Sequence, residues 1–205
     1  MAYSTQRKPV TFESLVNELL TKLNGANPAY VRSELHDKLE ELCVETHCWV
    51  EESEPVDIEA GVSLYPIPVA YDARILCVRS ARMHGRELSP QSYAVDISDA
   101  DMPTCTLHTT PAQDSEGALA FDVALAPLSP CENFPDGFLE RYRMTLKYGV
   151  LATMQAEEGK PWSRQQEALR NHALWQRGIH ECNVNRLTQD GAHDLTALSQ
   201  GGYII

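Results

Sequence analysis

Basic side chains are scarce: 17 Lys and Arg stand against 29 Asp and Glu, a formal net charge of −12 over 205 residues. A net-acidic chain repels phosphate, and gripping nucleic acid ordinarily takes clustered Lys and Arg, so tight direct DNA binding is not expected. Long apolar runs are missing as well. None approaches the roughly 20 residues of a membrane-spanning helix. The opening stretch Met1–Pro9 has no apolar core of the kind a secretory signal carries. Neither a membrane protein nor a secreted disulfide framework is therefore expected. The six cysteines, at 43, 48, 77, 105, 131 and 182, form no Cys-x-x-Cys. Irregular spacing without a secretion signal fits reduced thiols in a reducing cytoplasm, most of them packed as small hydrophobes. Gly-x-Ser-x-Gly, a phosphate-cradling glycine loop and His-Glu-x-x-His are all absent. The chemistries those motifs serve are not expected, and the chain is not read as an enzyme.

What is present is ordinary globular composition, 43% hydrophobic and 22% charged. A chain of this length buries roughly 70% of the surface its unfolded form exposes and needs neither disulfides nor metal as staples. The acidic excess is uneven. Residues 28–59 hold 2 basic and 10 acidic side chains, residues 60–135 hold 4 and 9, and residues 136–190 hold 8 and 7. An acidic stretch is ordinarily a solvated helix face; the sharper reading is a surface that lies near DNA without holding it.

The periodicity predicts helix first. Thr11 is placed to cap a helix carrying Phe12, Leu15, Val16, Leu19, Leu20 and Leu23. Gly25 and Asn27 end it, and Asn27 with Pro28 opens a second helix to about Cys48. Val31, Leu35, Leu39, Leu42 and Val44 form the stripe of that second helix. At Trp49 the period changes. Val56, Ile58, Val62, Leu64 and Tyr65 are spaced as strand residues, with Gly61 as the turn of a hairpin. A strand over about Arg74–Met83 leads into a His84-Gly85 turn, and short strands are predicted near Thr104–Thr109 and Ala118–Ala124. Helix returns from Phe138 to about Glu158. Ser163 and Gln166 form a capping box for a last helix reaching about Gln189. The expected fold is α+β: a four-helix bundle from residues 1–49 and 136–190, an inserted antiparallel β-domain over 50–135, and an extended C-terminal arm over 191–205.

Three residue groups invite a functional reading. His36, Cys43, His47 and Cys48 have partial metal-ligand spacing. A zinc ion needs ligands converging at about 2.0–2.3 Å, and Cys48 points away from the shared helix face, so the set is read as an internal thiol and a part-buried histidine. No metal or cofactor is expected. Trp49, Trp162 and Trp175 are read as packing residues, because base stacking needs a basic groove beside it. The terminus Gly201-Gly202-Tyr203-Ile204-Ile205 pairs a free backbone with an apolar, β-prone end. It is read as docking on a partner by strand addition or pocket filling, with packing on its own domain as the alternative.

The stretch Gly61-Val-Ser-Leu-Tyr65-Pro-Ile-Pro68, followed by Ile75-Leu-Cys-Val78-Arg-Ser-Ala-Arg-Met-His-Gly85-Arg-Glu-Leu88, resembles tailed-bacteriophage head-to-tail adaptor proteins of the tail tubular protein A group. That family shows a Trp closing the second helix, Gly…Tyr-x-Leu-Pro, a Val-rich strand and Gly-x-x-Leu. Trp49, Gly61, Tyr65, Gly85 and Leu88 fall in this order, with Ile67 and Pro68 set one residue late by Pro66. The break at Lys160-Pro161-Trp162-Ser163 is similar too. The likeness spans about residues 10–190, mostly as layout.

The resemblance implies a non-enzymatic adaptor ring, commonly of twelve subunits, joining the portal protein to a downstream tail protein in the virion after assembly in the host cytoplasm. Genomic DNA passes through its channel without specific binding. Glu51, Glu52 and Glu54 are the channel-facing candidates, and the arm ending in Gly201, Gly202, Tyr203, Ile204 and Ile205 is the portal-binding candidate. The alternatives are another virion-assembly part, such as a tail-completion or terminator protein, or a metal- or cysteine-dependent enzyme or regulator.

Overall fold

The computed structural model describes residues 10–69, 72–99 and 102–194, the last eight of them by backbone alone. The chain divides into two compact units, Met1–Cys48 together with Pro135–Ile205, and Trp49–Phe134.

The first unit is helical. Helix α1, Phe12–Leu20, starts at a reciprocal cap: Ser14 N donates to Thr11 Oγ1 at 3.2 Å and Thr11 N to Ser14 Oγ at 2.9 Å. Phe12, Leu15, Val16 and Leu19 are buried. The helix stops short of Leu23, which stays fully buried in the following turn. Helix α2, Pro28–Thr46, opens where Asn27 Oδ1 accepts Ala29 N at 2.9 Å, with Pro28 in the first turn. Val31, Leu35, Leu39 and Leu42 have no exposed surface, whereas Val44 is 42% exposed and lies outside the stripe. The helix ends at Thr46 because His47 takes a left-handed conformation, φ 49°.

Helix α3, Phe138–Ala156, and helix α4, Gln165–Asp194, meet through two glycines. A Cβ at Gly149 would stand 2.8 Å from the Trp175 ring, and one at Gly178 would stand 2.5 Å from Thr145. Only glycine allows so close an approach. The expected Ser163–Gln166 capping box does not form. The helix begins one residue later, with Arg164 in the cap position and Ala168 N closing on Arg164 O at 2.9 Å.

The expected four-helix bundle with a single inserted domain is overturned; only the mixed α+β class carries over. The four helices run 9, 19, 19 and 30 residues. Apolar period gives the existence of each helix but not the length over which it meets its neighbours. The strands, moreover, form an extensive, strongly curled antiparallel structure of eight strands. The arm is also shorter than expected, since α4 runs through Gly191 to Asp194. One glycine costs a helix only about 1 kcal/mol against alanine. The remainder of the arm, with Gly201, Gly202, Tyr203, Ile204 and Ile205, lies outside the described residues.

The second unit contains β1 Val50–Glu52, β2 Val56–Ile58, β3 Leu64–Pro66, β4 Ala73–Met83, β5 Arg86–Glu87, β6 Tyr93–Asp96, β7 Thr104–Leu107 and β8 Ser115–Pro127. One sheet has the order β1-β8-β4-β5, with β2 also on β8; the other has the order β3-β7-β6. The hairpin expected around Gly61 does not form: β2 pairs with β8 and β3 with β7. Gly61, φ 79°, instead carries the chain from one sheet to the other, donating to Pro111 O at 2.9 Å. The His84-Gly85 turn does form, with φ of 51° and 72°, the two positive values of a type I′ hairpin. Register shifts between Ile75 and Cys77 and between Val78 and Ser80 add the local twist that curls the long β4–β8 pair. Leu119, Phe121, Val123 and Leu125 of β8 form much of the core, and Trp49, 1% exposed, packs its ring 5.4 Å from that of Phe134.

Candidate acidic surface

The three glutamates singled out in the sequence do not share a face. In a strand, successive side chains point to opposite sides. Glu51 pairs in register with Val123 and Glu52 with Asp122, so the two lie on opposite faces of the sheet. Glu51 is half-buried and accepts Trp49 Nε1 at 3.3 Å. Glu52 and Asp122 share Arg82, whose Nη2 lies 3.1 Å from the first and 2.8 Å from the second. Ser80 Oγ donates to the other oxygen of Asp122 at 2.6 Å. Glu52 first, with Asp122 beside it, raises the pKa of Arg82 above the ordinary guanidinium value. Glu54 is exposed, beyond buried Ser53, which is pinned to β8 by Ser53 N to Phe121 O at 2.7 Å and Phe121 N to Ser53 Oγ at 3.0 Å.

A denser acidic group lies where β2 meets the start of β8. Ile58 pairs with Ser115, which sets residues 57–60 against residues 114–116. Asp57, Glu59, Asp114 and Glu116, with Ile58, Ala60 and Ser115, line an open pocket of about 570 Å³ that has no Lys or Arg in its wall. Two of the carboxylates also hold the loop. Asp114 Oδ1 accepts Ala60 N at 2.7 Å, and Asp57 Oδ1 accepts Gly117 N at 2.6 Å. All four acidic residues are exposed. The acidic stretch counted in the sequence includes Asp57 and Glu59, but their partners arrive through a strand pairing between distant segments. Such a wall raises a negative potential over the surface in front of it; among the described residues, no group of three His, Cys, Asp or Glu is arranged to hold a metal ion.

The residues read for metal-ligand spacing stand in α2 and just past its end. His36 and Cys43 are buried in α2, and His47 forms its left-handed cap. Cys48 follows the cap. Trp162 and Trp175 are 8% and 1% exposed, and Lys38 Nζ stands 5.7 Å from the centre of the Trp175 ring. Among the described residues no helix is long and apolar enough to cross a membrane. No protein-family model matches the chain, and no curated protein matches it significantly.

Proposed function

We propose that this chain is a structural adaptor of a tailed-phage virion, placed in a ring between portal and tail and lining the path of the DNA. The observation that carries the reading is the pocket walled by Asp57, Glu59, Asp114 and Glu116 with no cation in its lining, in a chain whose formal net charge is −12. A wall of this kind repels phosphate and leaves a passing duplex mobile, by the same electrostatics that make a basic wall hold it. The sequence resemblance supplies the partners: portal protein on one side, a downstream tail protein on the other, and further copies of the chain, commonly twelve, around the ring. The chain then works by binding geometry and not by catalysis. The terminus Gly201–Ile205 latches the portal, and repeated copies turn a weak contact into a firm one.

The test is reconstitution with the candidate portal, followed by low-resolution imaging. A ring of copies stacked on the portal is expected, and removal of residues 200–205 abolishes it. A chain that leaves the portal bare, or a truncated chain that still joins head to tail, overturns the reading. In assembled particles, Glu59→Lys with Glu116→Lys is expected to slow DNA release measured by dye uptake.

A further inference from the structure

The connection from α1 to α2 contains a turn whose two central residues are Asn24 and Gly25. Ala26 N closes on Leu23 O at 2.9 Å; Gly25 sits at φ 84°, and Asn24 has no positive φ. A four-residue turn with a positive φ at its third position alone is of type II, which takes glycine there. The turn is anchored at both ends, since Leu23 has no exposed surface and Ala26 is also buried. Asn24 and Gly25 themselves are exposed. Among the described residues, neither the Asn24 side-chain amide nor Gly25 N has a hydrogen-bond partner. Asn24-Gly25 is also the one place in the sequence where asparagine precedes glycine.

We propose that Asn24 is a site of self-modification, passing through a cyclic imide with Gly25 to aspartate and isoaspartate. Gly25 N gives its proton to hydroxide and attacks Cγ of Asn24. The bond from Cγ to the side-chain nitrogen breaks, and that nitrogen takes a proton from water and leaves as ammonia. Water then opens the imide ring. Opening at Cγ gives aspartate with the main chain unchanged. Opening at the main-chain carbonyl carbon gives isoaspartate, with the chain now running through Cγ. Overall one water is taken up and one ammonia is released, with no oxidation or reduction.

The other asparagines lack this combination. Asn27 precedes Pro28, which has no N–H to attack with, and its Oδ1 accepts Ala29 N at 2.9 Å. Asn17 lies in α1, and Asn171, Asn183 and Asn185 lie in α4, where the following N–H is taken up by the helical ladder. Asn133 is followed by Phe134, whose side chain crowds the backbone as glycine does not. The modification adds one negative charge to a chain already at −12. In the isoaspartate form it also adds a carbon to the main chain between buried Leu23 and Ala26. The inference is independent of the adaptor reading.

The test holds the full chain in mildly alkaline buffer at body temperature, with samples digested over several weeks. Trypsin cuts after Lys22 and Arg32, and the peptide 23–32 holds Asn24, Asn27 and no other asparagine. This peptide is expected to gain the mass difference between a hydroxyl and an amino group, placed on Asn24 by fragmentation. It should separate into two products, one of which accepts a methyl group from an isoaspartyl methyltransferase. The change should appear at least about tenfold faster than at any other asparagine, because only here is the attacking nitrogen that of a glycine. In Asn24→Gln, whose longer side chain closes a larger ring, it is expected to vanish from this peptide. Synthetic peptide 23–32 supplies the unfolded reference, and the native chain should convert within about threefold of it, since the turn holds neither reacting group. A native chain that stays intact while the free peptide converts overturns the proposal, as does earlier conversion at another asparagine. The central measurement needs no substitution and so does not depend on a variant that folds.

Discussion

The two units treat their carboxylates differently. In the helical unit several acids are matched with bases: Glu18 holds both Arg143 and Lys147, Glu13 holds Arg32, Glu41 holds Lys38, and Glu181 holds Arg177. In the β unit Glu52 and Asp122 share one guanidinium, and the pocket at residues 57–60 and 114–116 has none in its wall. A net charge averaged over the chain hides this sorting. Matched surface pairs act locally and contribute little individually, whereas a wall of one sign acts at the range of the Debye length, about 8 Å at physiological salt.

The comparison can be broken most forcefully in the helical unit. Trp175→Ala removes one of the largest fully buried side chains and is expected to cost about 3–5 kcal/mol, read by denaturant unfolding. Hydrogen exchange should place the loss in α3 and α4. Next, Gly149→Ala forces a methyl group to within 2.8 Å of that same ring, and overpacking of this kind costs about 1–3 kcal/mol.

Two carboxylates of the helical unit should then move in opposite directions. The bond from Lys147, aided by Arg143 and opposed by burial, holds Glu18 below the usual carboxylate range. Its contribution is fully present above about 4.5 and is lost as pH falls through the lowered value. Burial, opposed by the Thr153 bond, pushes Glu34 up, so its cost appears as pH rises through the raised value. At neutral pH, Glu18→Gln should therefore destabilise and Glu34→Gln stabilise, each by less than about 1 kcal/mol. The two should converge with the unsubstituted chain in acid, as melting temperature against pH will show. The smallest effect belongs to the β unit: Glu116→Gln is expected to change stability by less than about 0.5 kcal/mol, because what it contributes is field and not fold.

What could be read in the sequence was local. The Thr11 cap, the Asn27-Pro28 start of α2, its apolar stripe and the His84-Gly85 turn each depend on residues within a few positions of one another. The β partners were not legible, because β1 pairs Val50 with Ala124 and β2 pairs Ile58 with Ser115, across segments with nothing local to announce the match. The same limit halved the acidic site. Asp57 and Glu59 lie in the acidic stretch, while Asp114 and Glu116 reach them only through the β2–β8 ladder. Adjacent Glu51 and Glu52 were read as one cluster, and strand alternation parts them. Period counting, likewise, found four helices but ran past the end of α1 at Leu20.

The helical unit is drawn from the two ends of the chain, with all of Trp49–Phe134 between them. Synthesis is vectorial, at about 5–20 residues per second, so α3 and α4 follow α1 and α2 by a time on the order of ten seconds. Until then Leu35 and Leu39 have no α3 or α4 to cover them. The newborn chain thus spends its first moments with an unsheltered oily flank, and its yield in the cell should depend on chaperone supply more than the finished molecule's stability suggests.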